Sequence, residues 1–366
     1  MVSRRNSSEL DGSPARPWHL GAATGLGPMP GTDPAETARI VAGEMPELPF
    51  LAELPGRGVG ADQVGRTAGL LVDIYAEVVP SGWRISRRPT REGRRAKDFL
   101  SWDLDAMEQT YAGAEYVKIQ ICGPWTLAAM MEVPSGHRAL VDYGAVDDVA
   151  ASLAQGLSSH VADIERRLPG TRVVVQIDEP ALPQVLAGTL PTASGFGTVR
   201  AVAHHRAGEI LTGLRDAAGE RSVVHCCDSA APLRLLAEAG FAALATDFTL
   251  IGSQTTTLDA LGELMESGIV FLAGTIPSTR PAGLQGADAK DSDPRMGRRD
   301  TATTALAEWA KPITEPTGKL GFSALTVAQQ VVPTPTCGLA NASADWSTRA
   351  LTLSRDVARL LGDALN

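Results

Sequence analysis

The sequence predicts an α/β chain folded as a single (β/α)8 TIM barrel, and three observations lead there. Eight short apolar runs recur along the chain, separated by stretches with helical periodicity. Each run is β-branched or apolar on both faces, as parallel strands covered on both sides must be. The chain has 366 residues, long for an average domain but within what one such barrel absorbs.

Residues 1–16, rich in Gly, Ser, Pro and Arg, are expected as a flexible tail, and 17–366 as the barrel domain. Strands are expected near 19–25, 47–53, 116–122, 172–178, 222–227, 242–247, 269–275 and 328–334. Helices are expected near 35–45, 64–78, 103–113, 148–168, 199–218, 230–239, 257–267, 301–312 and 345–365. The clearest carries Val149, Leu153, Leu157, Val161, Ile164 and Leu168 at three- to four-residue steps, which places them on one helical face. Two segments read as inserted loops: the basic stretch 84–98, suited to gathering an anionic ligand, and the mixed-charge stretch 283–300.

Composition narrows the function classes. With 44% hydrophobic and 20% charged residues, the chain is an ordinary globular one. No apolar run approaches the ~20 residues of a membrane span. The first residues carry arginines but no apolar core of a leader, so a cytoplasmic setting is expected. A formal charge of −9 disfavours nucleic acid or anionic lipid as the main partner. Four scattered cysteines do not make a disulfide framework and leave thiolates free for metal or catalysis.

Three segments carry candidate chemistry, each at or after an expected strand end, where a barrel places its active site. In Val223-Val224-His225-Cys226-Cys227, the two-residue strand period puts His225 and Cys227 on one side and Cys226 on the other. Asp247 ends an apolar strand, and Cys337 sits in a turn after the last one. Imidazole, thiolate and carboxylate are zinc ligands, so His225, Cys227, Asp247 and Cys337 form a candidate tetrahedral set.

Further motifs complete the pattern. Gln176-Ile177-Asp178-Glu179-Pro180-Ala181-Leu182, Gly123-Pro124-Trp125-Thr126-Leu127 and Thr24-Gly25-Leu26-Gly27-Pro28-Met29-Pro30 accompany His-x-Cys and the closing Cys337-Gly338-Leu339. In this order they resemble the catalytic, C-terminal half of cobalamin-independent methionine synthase, within the uroporphyrinogen decarboxylase/methionine synthase-like barrels, in a stand-alone core form. The resemblance covers residues ~20–340.

That resemblance implies zinc-dependent methyl transfer to the thiol of homocysteine, giving methionine. It implies that Asp178 and Glu53 hold the acceptor's amino group. The departures lie mostly on the donor side. Asp247 stands where the family has Glu, and Pro28 where it has Ser. The segment Ala273-Gly274-Thr275-Ile276-Pro277-Ser278-Thr279-Arg280-Pro281 lacks the family's Asp and His, the latter the expected proton donor to a departing folate. The expected donor is therefore methylcobalamin, carried on a corrinoid protein, rather than methyltetrahydrofolate. Two alternatives remain: zinc-dependent alkyl transfer to another thiol, and a non-catalytic descendant that binds zinc or an amino acid.

Overall fold

The computed structural model describes residues 18–192, 195–251, 255–282 and 298–363. The expected tail and most of the segment 283–300 lie outside them. The chain runs α1 (Pro34–Glu44), α2 (Gln63–Ala68), β1 (Tyr75–Val79), β2 (Gly82–Ser86), α3 (Arg91–Thr110), β3 (Tyr116–Cys122), α4 (Pro124–Met130), β4 (Met131–Glu132) and α5 (Tyr143–Arg167). It continues through β5 (Arg172–Asp178), α6 (Leu182–Ala187), α7 (His204–Ala218), β6 (Ser222–His225), α8 (Leu233–Glu238), β7 (Ala243–Asp247) and α9 (Thr255–Glu266). It ends with β8 (Val270–Ile276), α10 (Arg298–Lys319), α11 (Ala324–Gln330), β9 (Val331–Pro335) and α12 (Ala344–Asp363).

Six parallel strands curl in the order β3-β5-β6-β7-β8-β9, a TIM-like barrel wall. The two expected strands near 19–25 and 47–53 form no ladder. They instead complete the wall through single bridges, Phe50 to Lys118 and Pro28 to Glu53. Leu339 N–H donates to the Pro28 carbonyl on the far side, 2.7 Å away, which closes the circle. The reason is proline. Thr336 N–H points to Ile276 on β8, so Pro333 and Pro335 face the first segment without N–H groups to pair there.

The strand alternation separates two cores. Inward residues Val174, Val223, Ala243, Ala245, Leu272 and Val332 pack with Trp18 and Leu26 to fill the lower barrel. Outward residues such as Ile119, Ile177, Val224, Leu244 and Phe271 meet the helices. Helix α5 buries Val149, Leu153, Leu157 and Ile164, the face its periodicity assigned.

Local chemistry sets several boundaries. Asp33 accepts from Ala35 and Glu36 at the start of α1, and Asp142 accepts from Gly144 and Ala145 at the start of α5. Three further readings of the sequence are revised. Residues 84–98 are not an inserted loop: 84–86 belong to β2, and from 91 the chain is α3, capped by Thr90, whose Oγ1 accepts from Gly93 N–H. The stretch 328–330 is the end of α11, which Ser323 caps, and the strand starts only at Val331. The expected helix 64–78 stops at Ala68, and Tyr75–Val79 pairs antiparallel with β2 around a turn where Gly82 has φ 132°.

Candidate metal centre

The site lies at the carboxyl ends of the barrel strands. Strand β6 ends at His225, β5 at Asp178 and β7 at Asp247, with Cys337 just past β9. His225, Cys227 and Cys337 each bring one ligand atom to a common point, all within 4.8 Å of one another. The two sulfurs are 3.0 Å apart. His225 Nδ1 lies 2.8 Å from Asp178 Oδ1, whereas His225 Nε2 is buried with no hydrogen-bond partner. An imidazole nitrogen left bare beside two converging sulfurs fits a soft divalent metal such as zinc. Cys226, on the opposite side of the chain, is buried in the outer core, as the strand period required.

Asp247 stands apart from that cluster. Its half-buried carboxylate accepts from Thr249 N–H at 2.9 Å and from Thr249 Oγ1 at 2.5 Å, an arrangement that shapes the turn after β7. Burial, and to a lesser degree the charge on Cys337, raise its pKa.

The proton distribution follows from this packing. Burial disfavours charge on His225, but the Asp178 carboxylate and the Cys337 sulfur outweigh it, raising His225 to about 9. Cys337 is drawn down by hydrogen bonding to the Cys227 thiol and by His225, and Cys227 is correspondingly pushed up.

A polar network, most of it fully buried, backs the centre. Asp178 accepts from Gln176 Nε2 at 2.6 Å and from Gln63 Nε2 at 3.0 Å, besides His225. Lys118 is fully buried, and its Nζ donates to Gln176 Oε1 at 2.8 Å and Gln120 Oε1 at 3.4 Å. Burial lowers this lysine to about 8, while Asp178 and Glu53 hold it up. Glu53 is also buried, and its Oε1 has no hydrogen-bond partner. Burial pushes its pKa to about 7, with Arg66 opposing and Asp178 reinforcing the rise.

Sequence reasoning thus placed His225, Cys227, Cys337, Asp178 and Glu53 in one region but missed Gln63 and Lys118. A lysine and a glutamine two apart inside an otherwise apolar strand, Lys118 and Gln120, were the available signal. Glu179 and Trp125 turn away from the centre. Glu179 accepts from Trp125 N, Thr126 N and Thr126 Oγ1 at the start of α4, and Trp125 Nε1 donates to Ala207.

Among the described residues, no helix is long and apolar enough to cross a membrane. No protein-family model matches the sequence, and no curated protein matches it. Among solved structures, the chain is similar to a B12-independent methionine synthase from Shewanella sp. W3-18-1 in complex with selenomethionine. The two are 12% identical with a TM-score of 0.56, over 95% of this chain and 99% of that one. At that identity the likeness is one of fold, and it shows that the chain has the barrel architecture of that synthase.

Proposed function

We propose that this chain is a zinc-dependent methyltransferase that methylates the thiol of homocysteine to give methionine. The observation that carries the reading is the convergence of a ring nitrogen of His225 with Cys227 Sγ and Cys337 Sγ at the strand ends, Nε2 being the nitrogen without a hydrogen-bond partner. The fold shared with a methionine synthase supports it.

His225, Cys227 and Cys337 would hold zinc and leave a fourth position for the acceptor sulfur, the pattern of catalytic rather than structural sites. The chemistry a metal held by these three residues would supply is ionisation of an acceptor thiol, which at pKa ~8.5 is otherwise mostly protonated at neutral pH. Asp178 keeps His225 oriented through Nδ1. Glu53 offers a bare carboxylate oxygen in a water-excluded setting, suited to the ammonium of an amino acid. Asp247 lies outside the His225–Cys227–Cys337 group, with both Thr249 donors on its Oδ1, so we leave it outside the ligand set.

In the transfer, the new bond joins sulfur to methyl carbon, and the donor–methyl electron pair leaves with the donor. A folate nitrogen needs a proton as it departs, and residues 273–282 contain no carboxylic acid or imidazole. A cob(I)alamin leaving group needs none, so the proposed donor is methylcobalamin, carried on a corrinoid protein partner. The test is methionine formation by the zinc-loaded chain with homocysteine, given methylcobalamin or methyltetrahydrofolate separately. Methionine from methylcobalamin alone is expected. Turnover with the folate would overturn the donor assignment. Transfer to thiols other than homocysteine would overturn the acceptor.

Zinc affinity is expected to rise with pH. Metal binding must displace the protons on His225, raised to about 9, and on Cys227, also raised. Below those values each displaced proton costs about tenfold in apparent affinity per pH unit. Competition with a chromophoric chelator at about pH 6 and about pH 8 reads this directly; equal affinities would contradict it.

A further inference from the structure

Lys118 has no role in the chemistry described so far, yet a fully buried lysine is costly to place. Desolvating an ammonium costs several kcal/mol, and a methionine would fill the same space without that cost. Its surroundings show what it does. Lys118 and Gln120 point into the barrel from β3, and Gln176 and Asp178 from β5, with Gln120 in register with Gln176. Asp178 is in turn in register with His225 on β6. Inward side chains on neighbouring strands therefore stand beside one another across the barrel.

From Lys118 to Asp178 every hydrogen bond along this line runs in one direction, away from the lysine, and the Leu26 carbonyl agrees with it. An ammonium has three donors and no acceptor. The Gln176 oxygen must then face Nζ, 2.8 Å away, and its amide nitrogen must face the other way. That nitrogen donates to Asp178 Oδ1 at 2.6 Å and to the Leu26 carbonyl at 3.0 Å, so reversing the amide would set oxygen against oxygen at both. Asp178 Oδ1 is therefore purely an acceptor. The remaining partner of that oxygen, His225 Nδ1 at 2.8 Å, must be the donor. With Nδ1 held as the donor to Asp178, the proton a metal displaces is the one on Nε2, which has no hydrogen-bond partner. Gln120 holds the lysine from the other side: its Oε1 is 3.4 Å from Nζ, and its Nε2 donates to the Leu51 carbonyl at 2.5 Å. Gly27 makes room for this side chain, since a Cβ there would lie 2.6 Å from Gln120 Cδ.

We propose that Lys118 is a positioning residue for the metal centre, setting through Gln176 and Asp178 which nitrogen of His225 is presented to the metal. The proposal rests on the zinc reading above, and its test separates the two. Zinc affinity is measured on the full chain for wild type, Lys118→Met, Asp178→Asn and the double variant, with circular dichroism to confirm folding. The second sphere of a metal site typically carries 10–100-fold in affinity. Lys118→Met is expected to lose on the order of tenfold, Asp178→Asn somewhat more, and the double variant no more than Asp178→Asn alone. Lys118→Arg, which keeps the charge and donors, is expected to recover part of the loss. A folded Lys118→Met with wild-type affinity, or losses that simply add in the double variant, would overturn the role of Lys118. Wild-type chain that binds no zinc would instead overturn the zinc reading. If Lys118→Met does not fold, the ring nitrogens of His225 in zinc-loaded, 15N-histidine-labelled wild type decide. A proton on Nδ1 is expected, and a proton on Nε2 would overturn the proposal.

Discussion

Replacing Cys337 by serine is expected to abolish methyl transfer while leaving the chain folded. A structural zinc site is worth about 10–16 kcal/mol, so one of its ligands corresponds to about 3 kcal/mol, on the order of 10²-fold in affinity. Serine retains the size and polarity but not the soft, readily ionised sulfur that zinc prefers. Cys337 is only partly buried, in a turn beyond β9, so the fold itself should lose no more than about 1 kcal/mol. The substitution also removes the sulfur that stands 3.0 Å from Cys227 and helps keep His225 charged without metal. Zinc content after dialysis, methionine formation and thermal unfolding check the three parts. Full zinc retention with full turnover would show that the centre does not include this thiol.

Gly123→Ala is expected to destabilise the protein by about 3 kcal/mol or more. A Cβ at position 123 would lie 2.3 Å from Glu179 Oε1 and 2.4 Å from its Cδ. The carboxylate cannot retreat freely, because it is fully buried and holds Trp125 N, Thr126 N and Thr126 Oγ1 at 2.9, 2.8 and 2.7 Å. Overpacking costs about 1–3 kcal/mol, and hydrogen bonds to a charged group about 1.5–3 kcal/mol. The damage should spread to the metal centre, since Gly123 N–H donates to the Asp178 carbonyl at 2.7 Å. Denaturant unfolding together with zinc affinity measures both effects. A variant as stable as wild type would mean that this junction yields more easily than its packing indicates.

Parts of the molecule were legible because they depend on local pattern. Strands β3 and β5 were expected at 116–122 and 172–178, and they form there, since their Val and Ile content favours the extended chain despite the polar residues between them. His225 and Cys227 were assigned to one side of the chain from the strand period alone, and Cys226 to the other. Elsewhere the local pattern was insufficient. The hairpin of β1 and β2 was hidden because residues 64–78 carry enough apolar residues for a helix. Tertiary packing holds the hairpin in place, with Trp83 Nε1 donating to Asp62 at the start of α2 and β2 pairing with β4. The arginines of 84–98 read as a loop because their charge masks a capped helix whose buried face, Phe99, Leu100 and Leu104, begins a turn later.

The sequence by itself determined the barrel class, its six parallel strands to within a few residues and the types of side chain brought to the strand ends, because periodicity and residue chemistry are local properties. The tertiary structure alone decided which of those side chains meet. Asp247 and Cys337 looked equivalent as strand-end ligands, yet in the turn after β7 Asp247 Oδ1 accepts from Thr249, while the turn after β9 brings Cys337 to Cys227 across 110 residues of sequence. Lys118 went unnoticed in the sequence; only barrel closure sets it beside Gln176 and, through it, Asp178 and His225. The physical reason is that a hydrogen bond or metal ligand depends on distances of a few ångströms between residues far apart in the chain, and only the curvature and register of the closed sheet fix those distances.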